Sequence, residues 1–576
     1  MKTQQTILFL AAAALLMLAA ACSGESITTG GSGSGSSSSY TTSKLTTFDV
    51  TIDKTTAEPS TTAEEQFPDA DEDPLENNTF TTEVSIDLSN PEDKIENGVE
   101  ITANGGHITA NHGSNKKICY ILSGSTSNGS FTVVGEKKYE VQLNGVSITN
   151  PDSAALNLLC SKRAYILLCE GTSNTLADGS TSLNDHKGAL YCKGKLLFNG
   201  SGSLSVAGNY NNGIHSADYI VFRSGNNVYV ESSKGHGIKA NDGIYINGGI
   251  LNVEVSAAAA KGINCESHVC VSGGRTTVVT TGGGAYDSEE KDAKGAACIK
   301  ADSTFTITGG ELWLKSTGSG GKGIKADTEG SFAGGSTYVI TEGSQYKTGS
   351  YTASPKGIKV DGALSITDGL IWVRTNGTKG EGIEGKSTIE ISGGEVASYA
   401  YDDAINSKGS MTVSGGYVFA QGRNSDGLDA NGNMYIKGGT VYAICSGGAE
   451  VALDANTEGG ATLYIQGGTI VAVGGIERGS SLSQTCYQGS WSTGTWYSLT
   501  GGSETFCFQT PSSGGSGLVV STSSTPSLTS GVSASGGTSR FGGIALTGGS
   551  ASGGSPVQLS SYTSSGGNTG GRPHGF

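Results

Sequence analysis

Apolar residues recur along the middle of the chain at a near-constant interval. A short apolar anchor, usually Gly-Ile, stands at Leu190, Ile214, Ile238, Ile263, Ile299, Ile324, Ile358, Ile383, Ile405, Leu428 and Leu453, mostly 22 to 25 residues apart, with two longer intervals of 36 and 34. Six and eight residues after the anchor comes an apolar pair, such as Ile244/Ile246, Leu364/Ile366 or Met434/Ile436. Ten residues after it comes a turn position, Gly in most units and nearly always followed by a second Gly; beyond the turn lies another apolar pair, such as Leu312/Leu314 or Ile371/Val373. Alternation of period two marks a strand with one buried face. Each unit therefore reads as three short strands separated by tight turns. So small a unit cannot bury its apolar face alone, and stacking like units solves the problem. The pattern predicts an all-β fold, a right-handed parallel β-helix (β-solenoid) over residues 151–475, with Leu156 anchoring one earlier rung. Eleven anchored rungs about 4.8 Å apart make a rod on the order of 50 Å long. Residues 80–150 alternate without the strict offset and read as an N-terminal cap with the first irregular rungs. Residues 476–576 lose the period and read as a β-rich C-terminal cap and tail.

Composition agrees with this reading. The chain has 576 residues, with 92 Gly and only 10 Pro; collagen and Pro-rich linkers are excluded, and so many glycines disfavour helix. A net charge of −16 speaks against a nucleic-acid partner and for cations or a neutral polymer. Lys2 and the apolar run from Ile7 to Ala21 read as an export signal over residues 1–21. The segment Leu18-Ala19-Ala20-Ala21-Cys22 resembles the lipobox of bacterial lipoproteins, with Ala19 where Leu is more usual. That resemblance implies lipidation of Cys22 and a membrane-anchored, exported protein. Residues 22–79, Gly/Ser/Thr-rich and then acidic, read as a tether. Within them Asp69-Ala70-Asp71-Glu72-Asp73 has the alternate acids of a calcium loop but lacks its glycine turn and distal Glu, so it reads as solvated linker. Of the cysteines beyond Cys22, none forms a C-x-x-C pair; Cys486 with Cys507 is the disulfide to test, and Cys192, Cys265 and Cys298 fall in strand patterns as buried thiols.

Stacking turns each repeat position into a column. The position after the anchor reads Lys239, Asn264, Lys300, Lys325, Lys359, then Glu384, Asn406, Asp429, Asp454. Two residues before the anchor, Lys322 and Lys356 give way to Glu381, Asp403 and Asp426, with Asp402 adjacent. Both columns switch from basic to acidic at the same rung. Lys300, Lys325 and Lys359 each have an acid two residues on, Asp302, Asp327 and Asp361, whereas the matching positions after Asp429 and Asp454 are Asn431 and Asn456. Like charges stacked at rung spacing repel by roughly 1 kcal/mol in water and about 3.5 kcal/mol at an effective dielectric near 20. Carboxylates and Asn carbonyls are hard donors, so the acidic rungs, Glu381, Glu384, Asp402, Asp403, Asp426, Asp429 and Asp454, suit Ca2+; solvated surface acids are the alternative. A third column, fourteen residues after the anchor, reads Trp313, Tyr338, Trp372, Ala397, Phe419 and Tyr442. These rings are either exposed faces for pyranose stacking or an aromatic ladder under a terminal cap.

The segments Lys322-Gly323-Ile324-Lys325-Ala326-Asp327 and Asp426-Gly427-Leu428-Asp429-Ala430-Asn431-Gly432, with Gly438-Gly439 after them, are similar to a family of bacterial surface carbohydrate-binding β-solenoid proteins whose fold is like that of pectate lyases. The resemblance spans roughly residues 80–475. It implies calcium, at Asp403, Asp426 and Asp429, and binding of plant polysaccharides, acidic ones included; it does not cover the aromatic column. Three functions follow for test. The first is a surface-tethered, non-catalytic polysaccharide binder, with Lys325 and Lys359 meeting uronate carboxylates. The second is a calcium-dependent polysaccharide lyase, its base drawn from Lys356, Lys359, Arg374 or Arg423; acids beside the anchor-following lysines raise their pKa and count against it. The third is an adhesin or structural rod.

Overall fold

The computed structural model describes residues 43–564, apart from residues 56, 60–63, 114–115, 448–449 and 516. The expected export signal, Cys22 and the start of the tether lie outside the described residues. The backbone winds as a parallel β-solenoid of about 15 turns. Every anchor pairs in parallel with the next, Leu156 with Leu190, Leu190 with Ile214, and so on to Leu428 with Leu453. These anchors belong to a sheet of 16 strands that forms the first face; the other two strands of each rung belong to a 29-stranded sheet. Inward side chains are aliphatic and sealed from solvent, anchors included.

The Gly-Gly turn has two separate causes. Its second glycine takes a left-handed backbone, as at Gly274 (φ +70°) and Gly439 (φ +78°), where an L side chain is strained. Its first glycine is required by stacking, for a Cβ at Gly393 would stand 2.0 Å from the Thr367 carbonyl oxygen of the rung beneath.

The rungs begin before residue 151. Strands Thr82–Asp87, Ile118–Thr126 and Tyr139–Asn150 stack in parallel, and Phe131 pairs with Leu156 as an earlier anchor. The antiparallel strands Lys94–Glu96, Val99–Asn104 and Gly106–His112 close that end. The two long anchor intervals are hairpins, Ala285–Asp287 with Asp292–Lys294 and Tyr346–Thr348 with Tyr351–Ala353.

Part of the described segment of the expected tether packs on the solenoid wall rather than standing in solvent. Leu45 is fully buried, and Phe67, Leu75 and Phe80 pack on Tyr165, Leu197, Tyr219 and Val221 of the solenoid wall. Asp73, also fully buried, accepts hydrogen bonds from Arg163 Nε (2.8 Å) and the Tyr219 hydroxyl (2.5 Å), while Arg163 also pairs with Asp69 and Arg223 with Glu65 and Glu76. Acids that read as linker are thus counter-ions to two wall arginines 90 or more residues away in sequence. Residues beyond 476 form a six-stranded antiparallel sheet that includes strands Trp496–Thr500 and Phe506–Gln509. Cys486 and Cys507 are free thiols, so the expected disulfide is absent; Cys192, Cys265 and Cys298 are buried as expected.

Candidate functional site

The aromatic column stands in register, Trp313 beside Tyr338, Trp372, Ala397, Phe419 and Tyr442 in turn. It faces away from the solenoid core and is nevertheless covered. Phe419 and Tyr442 are 1% and 0% exposed. Phe541 packs on Phe419 at 5.6 Å, Phe508 lies 5.2 Å from Tyr442, and the Tyr442 hydroxyl donates to the Gln509 carbonyl at 2.8 Å. Further along, Phe48 lies about 6 Å from both Tyr338 and Trp372, and Trp313 stacks on Tyr338 at 4.0 Å beneath the Arg275 guanidinium. For Phe419 and Tyr442 burial rather than sugar contact is the explanation, because the C-terminal sheet and Leu45 close a second hydrophobic core over them, with Trp372 packed at its edge; Trp313 and Tyr338 stay half-buried. The expectation that Phe419 and Tyr442 stack on sugars is corrected on this point.

The charged columns also stand in register. Lys322, Lys356 and Glu381 are successive partners, as are Lys325, Lys359, Glu384, Asn406, Asp429 and Asp454. Their chemistry divides them. Lys300 pairs with Asp302 and Asp327, Lys325 with Asp327 (2.9 Å), and Lys359 with Asp361 (3.5 Å). At the switch, Lys356 reaches Glu381 (2.5 Å) and Glu384 (3.4 Å), and Asp402 lies 3.7 Å from Lys379. Burial alone would depress Lys356, but the two glutamates carry its ammonium above the usual lysine value. Glu381, Glu384 and Asp402 therefore each have a protein cation beside them.

Asp403, Asp426, Asp429 and Asp454 have no such partner among the ion pairs of the described residues. Asp403 accepts from the Asp426 N–H (3.2 Å) and from Asn406 Nδ2 (3.0 Å), and Asp426 accepts from the Val451 N–H (2.8 Å). Burial and neighbouring carboxylates push Asp429 up to about 8 and Asp454 to about 9, and hold Asp426 well above the carboxylate range. Asn406 is 1% exposed and its Oδ1 has no hydrogen-bond partner. Among the described residues no three acidic, imidazole or thiol side chains converge on one point. The acids form a ladder of hard oxygen donors rather than a closed cage, and a cation here would take Asn406 Oδ1 alongside carboxylates, a donor set that suits calcium.

Two features escaped the sequence reading. Lys322 donates to the Gly320 carbonyl (3.0 Å), and burial together with the cations Lys359, Lys261 and Lys325 pushes its ammonium down to about 7. Lys261, the same column's member two rungs earlier, falls to about 8 for the same causes. The signal was present as a missing acid: unlike Lys325 and Lys359, Lys322 has no carboxylate two residues on. Of the expected bases, Arg374 donates to the Thr46 and Phe48 carbonyls, and Arg423 donates to the Asn376 carbonyl (2.9 Å) and lies over Tyr399. Both arginines tie chain to chain.

The sequence profile of the carbohydrate-binding domain-containing protein family matches residues 99–259, 252–344 and 352–427, more than half of the chain. A carbohydrate-binding domain-containing protein of Acetivibrio thermocellus is 30% identical over 115 residues, which is 19% of this chain and 40% of the relative's length. A solved structure described as a polysaccharide lyase-like protein from C. thermocellum, in a gadolinium derivative, aligns at 23% identity with a TM-score of 0.34, covering 42% of this chain and 93% of that one.

Proposed function

The chain belongs to the carbohydrate-binding domain-containing protein family, and from that premise we propose that it is a non-catalytic polysaccharide binder tethered at the cell surface and loaded with calcium. The observation that carries the reading is the break in charge compensation along one column, ion-paired from Lys300 to Glu384 and unpaired at Asp429 and Asp454. Asp403, Asp426, Asp429 and Asn406 Oδ1 would hold the cation, and Asp454 extends the ladder. Calcium would supply charge neutralisation there and a docking point for carboxylate or hydroxyl oxygens of an acidic plant polysaccharide. Lys325 and Lys359, already matched by acids, add little to that attraction. Lipidation at Cys22 would anchor the protein to the membrane. Affinity electrophoresis against polygalacturonate and neutral plant polysaccharides, with calcium and with chelator, tests the binding. Retardation that chelator weakens is expected; no retardation by any polysaccharide under either condition ends the proposal. Release of a Cys22→Ala protein from the membrane fraction checks the anchor.

A calcium-dependent lyase is the second reading, and Lys322 favours it. An ammonium held near neutrality by burial, with cations as its charged neighbours, has the property a general base needs. Incubation with polygalacturonate, followed by ultraviolet absorbance of unsaturated product, separates the two: sustained product formation that Lys322→Met abolishes replaces the non-catalytic reading.

A further inference from the structure

Of the rings that read as sugar platforms, Phe419 and Tyr442 are buried and Trp313, Tyr338 and Trp372 are half-buried. Among the described residues, only two aromatic side chains are exposed, Tyr286 at 45% and Tyr351 at 37%. They come from different hairpins, separated by 65 residues in sequence, and their rings lie 5.3 Å apart at 46°. These hairpins are the insertions that stretch the anchor interval, and they pack against each other.

Their placement is fixed by backbone. The Ala259 N–H donates to the Gly283 carbonyl and the Gly320 N–H to the Ser344 carbonyl, each at 2.8 Å, so both hairpins spring from the turns that flank the lysine column. Lys261 Nζ donates to the Gly295 carbonyl (3.1 Å) at the foot of the first hairpin. Gly284 is required beneath this roof, since a Cβ there would stand 2.3 Å from the Tyr346 ring. A tyrosine buries well, and these two stay in water within ring contact of each other, which forgoes apolar burial. The second hairpin also lies where the family match is interrupted, between residues 344 and 352. Tyr351 lies outside the residues that the family profile matches, and Tyr286 lies inside them.

We propose that Tyr286 and Tyr351, on the two hairpins that interrupt the repeat, form a stacking platform for the pyranose rings of a polysaccharide. The occupant is a polysaccharide because the chain's family binds carbohydrate and because two tilted phenol rings offer flat faces to sugar C–H groups while their hydroxyls remain free for sugar hydroxyls. The proposal rests on the carbohydrate-binding reading and places its contact away from the acidic ladder, on the basic side of the switch. Calcium therefore bears on the platform only indirectly.

The test is affinity electrophoresis of the mature protein against polygalacturonate and a neutral β-glucan. Wild type is compared with Tyr286→Ala/Tyr351→Ala and Tyr286→Phe/Tyr351→Phe, with thermal melting of each. The platform predicts that the Ala pair weakens binding of at least one polysaccharide by about tenfold or more, in calcium and in chelator alike, with an unchanged melt, and that the Phe pair keeps most of the affinity. If wild type binds and the Ala pair binds as well, the platform is wrong and the polysaccharide-binding function stands. If wild type binds neither polymer with or without calcium, both fall. Should the Ala pair melt early, the single change Tyr351→Ala in the exposed second hairpin gives the same reading, and undiminished binding there overturns the platform.

Discussion

One column of the repeat carries lysine over rungs 300 to 359 and acid, with one asparagine, over rungs 384 to 454, and the fold treats its two halves differently. In the first half every anchor-following lysine meets a carboxylate on its own or the next rung, and the switch rung is closed by Lys356 between Glu381 and Glu384. In the second half Asp429 and Asp454 sit against Asp403, Asp426 and Glu477, neither forms an ion pair among the described residues, and Lys408 offsets the repulsion at Asp429 only in part. Stacking multiplies whatever a position carries. A compensated position becomes a stable ladder, and an uncompensated one accumulates repulsion that only protons or an external cation can relieve.

The contrast is broken most severely by Lys356→Met. That change leaves Glu381 buried without its cation and Glu384 with only the longer contact to Lys359 (3.9 Å), and a loss of about 3–5 kcal/mol in urea unfolding is expected; a loss below about 1 kcal/mol would mean the switch rung is not held by this ion pair. The opposite half should respond with the opposite sign. In chelator, Asp429→Asn removes a repelling carboxylate and stabilises by about 1–3 kcal/mol, whereas in calcium the same change should be neutral or destabilising. Equal shifts with and without calcium would remove the cation from the account.

The pH dependence sharpens the same point. Asp429 and Asp454 hold protons in the folded state up to about 8 and about 9, while the unfolded chain releases them near pH 4. Between those limits the native state binds more protons, so stability falls as pH rises. Melting of the chelated protein between pH 5 and 8 should show this fall, reduced in an Asp429→Asn/Asp454→Asn variant. A slope identical to wild type would mean these acids ionise freely. The smallest effect belongs to Lys379→Ala: Lys379 is 66% exposed and 3.7 Å from Asp402, and a change within about 1 kcal/mol is expected.

The stacked fold, the rung boundaries and the register of all three columns were legible because one glycine turn and one apolar anchor recur at fixed offsets. The compensated lysines were legible too, since each has an acid two residues on in sequence, just past the end of its strand. What covers a column was not. Phe419 and Phe541 are 122 positions apart, and nothing at Phe419 distinguishes a ring that meets solvent from one that meets Phe541. Asp73 likewise looked solvated because Arg163 and Tyr219 come to it from distant rungs. The exposed tyrosines were hidden for the converse reason: they lie in insertions, where no repeat offset applies.

The final rung has a consequence for how the molecule ends. Strand Thr469–Val473 pairs in parallel with the rung before it, but its outer edge is taken by Leu518–Ser521 running the other way, Val471 opposite Val520. A parallel stack offers at its last rung the same row of open backbone groups that it offered at every earlier one, and could template another molecule without limit. A reversed strand from the same chain occupies that row and presents no parallel register to a newcomer. Length is thereby set by the polypeptide itself, and a molecule made almost wholly of stackable strands is kept from growing into a fibre at this end.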